Sequence, residues 1–110
     1  MIATAAQTGH LVVYVTDDPI DETTVATVKD GVPGALVLAD LLDPLYDTSI
    51  STREAAYTLG KLKTELESMV ESGERVVVIC QRRLQDLGTR SHFLASLCAL
   101  ADRVHILKST

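Results

Sequence analysis

Five aspartates in this chain are spaced so that a fold could collect them at one edge. Asp17 and Asp18 follow the first apolar run, and Asp40, Asp43 and Asp47 crowd the stretch GALVLADLLDPLYD at residues 34–47. Carboxylate oxygens in such number are the ligands that hard divalent cations take. Asp17, Asp18, Asp40 and Asp43 are therefore the candidate metal ligands. The plainer alternative is a solvated acidic rim, because an aspartate at a strand end also suits the turn that follows.

Other chemistry has less behind it. Cys80 and Cys98, the only cysteines, sit in apolar runs and read as small core residues rather than a disulfide or a zinc framework. His10, His92 and His105 show no ligand spacing. No nucleophile elbow supports Ser-His-Asp catalysis. A receiver-type phosphoacceptor would use Asp17, Asp18 and Asp40, but it also needs a lysine ending a later strand. Gln81 and Arg103 do not supply one, and Lys108 comes too late.

Composition narrows the classes further. A chain of 110 residues, 46% hydrophobic and 23% charged, is one globular domain with a modest core. Ten basic against fifteen acidic residues give a net charge of −5, and only 4% of residues are aromatic. Nucleic acid is therefore a poor partner for this domain alone, as is an anionic membrane. No secretory leader or bilayer-spanning run is read, so the cytoplasm is the expected compartment.

The elements that must position these residues alternate strand and helix. Residues 1–9 read as a flexible lead-in to a single domain over 10–110. Residues 10–16, HLVVYVT, form a first strand stopped by Asp17, Asp18 and Pro19. Asp21 caps a weak helix over 22–30 with Gly31 as its stop, and Val25 and Val28 as its buried stripe. A Val32-Pro33-Gly34 turn leads to a second strand over 35–40. Ser51 and Glu54 form a capping box that opens the longest helix, 52–71, closed by Gly73. Ala55, Leu59, Leu62, Leu66, Met69 and Val70 make its apolar stripe, with Lys61, Lys63, Glu65 and Glu67 on a solvated face. A third strand, 75–80, ends at Gln81, Arg82 and Arg83. After a connection at 84–88, Thr89 caps a helix over 90–101, and RVHIL at 103–107 is the last strand.

This alternation predicts an α/β fold: a small, mainly parallel four-stranded sheet with about three helices, βαβαβαβ, RecA-like or Rossmann-like. Strands laid side by side in chain order would put all three helices on one face. The first three strands are apolar on both faces, so the opposite face would need another cover, most simply a second copy of the chain. The alternative is a different strand order with helices on both sides.

From the second strand onward the features resemble the second half of a RecA/RadA-type ATPase core. The matching text is ALVLAD with DPLYD, the helix STREAAYTLGKLKTELESMVESG, then VVVICQRR and ADRVHIL. The resemblance implies that Asp40 is the Walker B carboxylate on the magnesium side and that Gln81 senses the γ-phosphate. It places Arg82 and Arg83 within reach of phosphate or a neighbouring subunit, and makes Asp17 or Asp18 the counterpart of a catalytic acid. The departure is the phosphate loop, G-x-x-x-x-G-K-[ST], which the chain does not contain. Gly60-Lys61 is followed by Leu62 and lies inside a helical pattern. Without the backbone cradle and lysine, the aspartates would repel a triphosphate. The expectation is a non-catalytic RecA-like domain, with no obligatory cofactor, that binds a protein partner or itself over an apolar sheet face. It would serve assembly or regulation linked to DNA repair or recombination. The alternative is a nucleotide- or magnesium-binding phosphotransfer domain using Asp40 and Gln81.

Overall fold

The structure is a computed structural model and describes residues 10–82 and 92–107. The lead-in at 1–9, Arg83, the connection at 84–88 and the Thr89 cap lie outside the described residues. The elements run β1 (His10–Thr16), α1 (Glu22–Gly31), β2 (Leu36–Ala39), a 3-10 turn (Asp43–Tyr46), α2 (Thr52–Glu71), β3 (Arg75–Gln81), α3 (His92–Cys98) and β4 (Arg103–Leu107). The four strands form one sheet, all parallel, and the chain is an α/β domain consistent with a small Rossmann-like or RecA-like fold.

The strand order is β2-β3-β1-β4, not the chain order. That order corrects the expectation of three helices on one face. The step from β1 to β2 runs across the sheet in one direction, and the later two steps run in the other. Right-handed crossovers then put α1 on one face and α2 with α3 on the opposite face. The packing agrees. Val28 of α1 packs with Val77 and Ile79, whereas Leu59, Leu66, Phe93 and Leu97 pack with Val13, Val76 and Val78. The order also matches strand chemistry. The long apolar β1 and β3 take the centre, where both faces are covered, and the four-residue β2 takes an edge with Leu36 and Ala39 exposed.

Local signals set the helix ends. The Asp21 carboxylate accepts the Thr24 N–H at 2.8 Å and starts α1. Gly31 stays inside the helix, and Val32 closes it by donating its N–H to the Lys29 carbonyl. Ser51 Oγ accepts the Glu54 N–H at 3.0 Å. At the far end of α2, Gly73 takes φ 93°. Its N–H reaches the Val70 carbonyl while the Glu74 N–H reaches that of Met69, the paired bonds of a Schellman stop. The last helix ends at Cys98, short of residue 101, because the N–H groups of Leu100 and Ala101 bond three residues back and tighten the turn. Lys63 also departs from its expected solvated role. Its ammonium donates to Ser96 Oγ at 2.9 Å and ties α2 to α3.

Asp102 clips the two ends of the described chain together. Its N–H donates to the Leu11 carbonyl at 2.8 Å, and its carboxylate accepts the Leu11 N–H at 2.9 Å. This two-way contact joins the start of β1 to the start of β4. Replacing Asp102 with Ala leaves the Leu11 N–H without that acceptor and should lower stability by about 1–2 kcal/mol in urea unfolding, with Asn recovering part of the loss.

Candidate functional site

At the carboxyl edge of the sheet, the predicted site residues appear in the order Asp40 after β2, Gln81 and Arg82 at the end of β3, then Asp17 and Asp18 after β1. The ladder continues past the strands here. The Asp40 N–H donates to the Ile79 carbonyl at 2.8 Å, and the Arg82 N–H to the Thr16 carbonyl at 2.7 Å.

The structure brings Asp17 and Arg82 together. Arg82 Nε meets Asp17 Oδ1 at 2.7 Å and Nη2 meets Oδ2 at 2.9 Å, a two-pronged ion pair joining adjacent central strands. The Arg82 hydrogen bonds hold the Asp17 carboxyl below its ordinary value, and the same bonds raise the Arg82 guanidinium. Both side chains are close to half exposed, at 46% and 44%, so water and salt screen the pair. Chemically, the arrangement occupies the cation that the resemblance would aim at phosphate. Asp18 turns with its N–H on Thr16 Oγ1 at 3.1 Å.

The structure does not gather the proposed metal ligands. β3 lies between β1 and β2, so Asp17 and Asp40 leave strands that are not neighbours, and the Asp17 carboxylate is taken up by Arg82. Asp43 opens the 3-10 turn. Among the described residues no cluster of three acid, histidine or cysteine side chains is placed to hold a metal ion.

Asp40 itself has φ 59°, the left-handed region in which aspartate is among the tolerated side chains. This conformation ends β2 one residue before the expected 40 and turns the chain into the 3-10 segment, where the Asp43 N–H bonds the Asp40 carbonyl at 3.3 Å. Its side chain borders a shallow cleft of about 430 Å³ with Asp21, Glu22 and Lys29 of the first helix and its cap. Two further carboxylates against one ammonium make that cleft a poor receptacle for a polyphosphate. Neither cysteine is disulfide-bonded, as expected, and burial pushes the Cys80 thiol up to about 12, so it is no nucleophile at neutral pH.

Sequence reasoning passed over the opposite edge. Three strands open on a basic residue, His10, Arg75 and Arg103, and parallel pairing carries all three to the amino edge. That repeated strand-opening pattern was the available signal. Comparison with known protein families, characterised proteins and solved structures gives no match. No helix among the described residues is long and apolar enough to cross a membrane.

Two outcomes follow from this geometry. Because the Asp17 carboxyl is depressed in the folded state, the stability it contributes is present above its ordinary value of 3.8 and is lost as pH falls through the lower folded value. The stability difference between wild type and Arg82→Gln should therefore appear at neutral pH and shrink in acid, and also shrink in high salt, as measured by denaturant unfolding. Asp40→Gly should match or exceed wild-type stability, whereas Asp40→Ala should lose about 1 kcal/mol, in the same assay.

Proposed function

We propose that this domain works through protein contacts rather than turnover, as an assembly or regulatory element of RecA-like descent, and that its contact surface is the open edge of β4. The observation that carries this reading is the exposure of Val104 and Ile106, 43% and 50%, on a strand that among the described residues pairs only with β1. An edge strand presents unpaired N–H and C=O groups, and natural edges usually blunt that hazard with charge, proline or a bulge. Between Arg103 and Leu107, β4 carries only Val, His and Ile.

The partner with matching chemistry is a second copy. Two β4 strands paired antiparallel about His105 set Val104 of each copy opposite Ile106 of the other, with all four side chains on the face that α2 and α3 cover. The pairing would join two four-stranded sheets into one. This moves the expected association from an open sheet face, which α1 partly occupies, to the sheet edge. The place in DNA repair or recombination rests on the likeness of ALVLAD, DPLYD and VVVICQRR to a RecA/RadA-type core.

The alternative of a nucleotide- or magnesium-binding domain draws on the cleft bordered by Asp40. It has against it the acidic neighbours Asp21 and Glu22 and the Arg82 guanidinium already held by Asp17. Sedimentation at micromolar concentration should give a dimer that Ile106→Lys converts to monomer without loss of fold. Magnesium with ATP should leave the melting temperature unchanged. A monomeric wild type, or a melting rise of several degrees that Asp40→Ala abolishes, would overturn the reading in favour of ligand linkage at the carboxyl edge.

A further inference from the structure

The face that α1 covers is only partly filled. Toward the amino edge it leaves a cavity of about 350 Å³ whose lining includes the apolar Val12, Val77 and Tyr14 and the basic His10, Arg75, Arg103 and His105. The register explains the composition. His10 pairs with Arg75 and Val12 pairs with Arg103, so the two arginines flank β1 from either side on the same face. Two strand spacings sideways and two residues lengthwise put their Cα atoms about 12 Å apart, which lets both side chains lean over Val12.

Among the described residues, Arg75 and Arg103 take part in no ion pair or side-chain hydrogen bond. The carboxylate that borders the cavity, Asp102, accepts the Leu11 N–H at 2.9 Å and lies 3.9 Å from His10 Nδ1. Both arginines are exposed, so their guanidinium groups can meet an anion from solution, and Asp102 is the carboxylate that shares the lining with them. The apolar lining adds a second requirement. The Tyr14 and His105 rings stack against each other across the strands, centroids 5.0 Å apart and planes tilted 30°, and both border the cavity beside Val12. Arginine forks match the paired oxygens of phosphate and carboxylate, and a lining of valines and an aromatic side chain matches an apolar ring.

We propose that this groove is a binding site for a small aromatic anion, with its ring against Tyr14, Val12 and Val77 and its phosphate or carboxylate between Arg75 and Arg103. The volume is at the lower end of those that hold small ligands, which suits one ring with one anionic head. The site lies at the sheet edge opposite Asp40 and Gln81, and it does not depend on pairing of β4 between copies.

The test uses the full chain and phenyl phosphate as probe, followed by amide chemical shifts. Saturable shifts are expected at Val12, Tyr14, Val77 and His105, and inorganic phosphate should bind more weakly because it has no ring. Benzoate as a second probe tells a carboxylate preference from a phosphate preference. Arg75→Gln and Arg103→Gln, both at exposed positions, should each weaken binding about tenfold, the loss of a charge-assisted contact. Wild-type affinity should also fall as salt rises. Shifts centred on Arg82 or Asp40, affinity unchanged in the double arginine variant, or affinity insensitive to salt would each overturn the proposal. Ile106→Lys should leave phenyl phosphate binding intact, which separates this site from the dimer edge.

Discussion

The pairing of β1 with β3 is the contact on which the remaining structure depends. Seven consecutive residues of each strand lie in register, from His10 with Arg75 to Thr16 with Gln81. Both strands are apolar on alternating sides, so each needs cover above and below. Once they occupy the centre, β2 and β4 can only add at the outside. The direction of each crossover then dictates its face, and the single helix α1 is left to cover one side while two helices and the 3-10 turn cover the other. The partly open groove on the α1 face is a result of that unequal division.

The same pairing separates charge along the strands. Because all four strands point one way, their first residues and their exits collect at opposite ends of the sheet. His10, Arg75 and Arg103 stand at one end; Asp17, Asp18 and Asp40 stand at the other, with Arg82 neutralising only Asp17. The two arginines at the first end are accompanied there by Glu74 and Asp102, which immediately precede β3 and β4. The two ends differ in how much is spent internally. At the acidic end the ion pair and the Asp21 cap use side chains to hold the fold, while at the other end Arg75 and Arg103 take part in no ion pair among the described residues.

Element boundaries were legible where the signal is local. The helix at 52–71 was readable to the residue because Ser51 and Gly73 mark its ends within one turn, and its apolar stripe follows helical spacing throughout. The first, third and fourth strands were readable because each is a short apolar run with a clear stop. The strand order was not, since hydrophobic pattern says that a strand is buried and not which neighbour it takes. The Asp17–Arg82 pair spans 65 residues and the Asp102–Leu11 clip spans 91, so no spacing rule reaches either. At Asp40 the apolar run before an acid suggested a metal carboxylate. Its left-handed backbone supplies a conformational reason for an aspartate at that position.

The long-range register also sets conditions on how the chain is made. β1 leaves the ribosome with both faces apolar and no ladder partner, since its first neighbour, β3, follows 65 residues later. At about 5–20 residues per second, that interval lasts on the order of 3–13 seconds. During it, VVYV is an unpaired, aggregation-prone segment with only α1, β2 and α2 emerging behind it. The order of synthesis therefore opposes the order of pairing, and folding of the nascent protein is governed by when β3 becomes available.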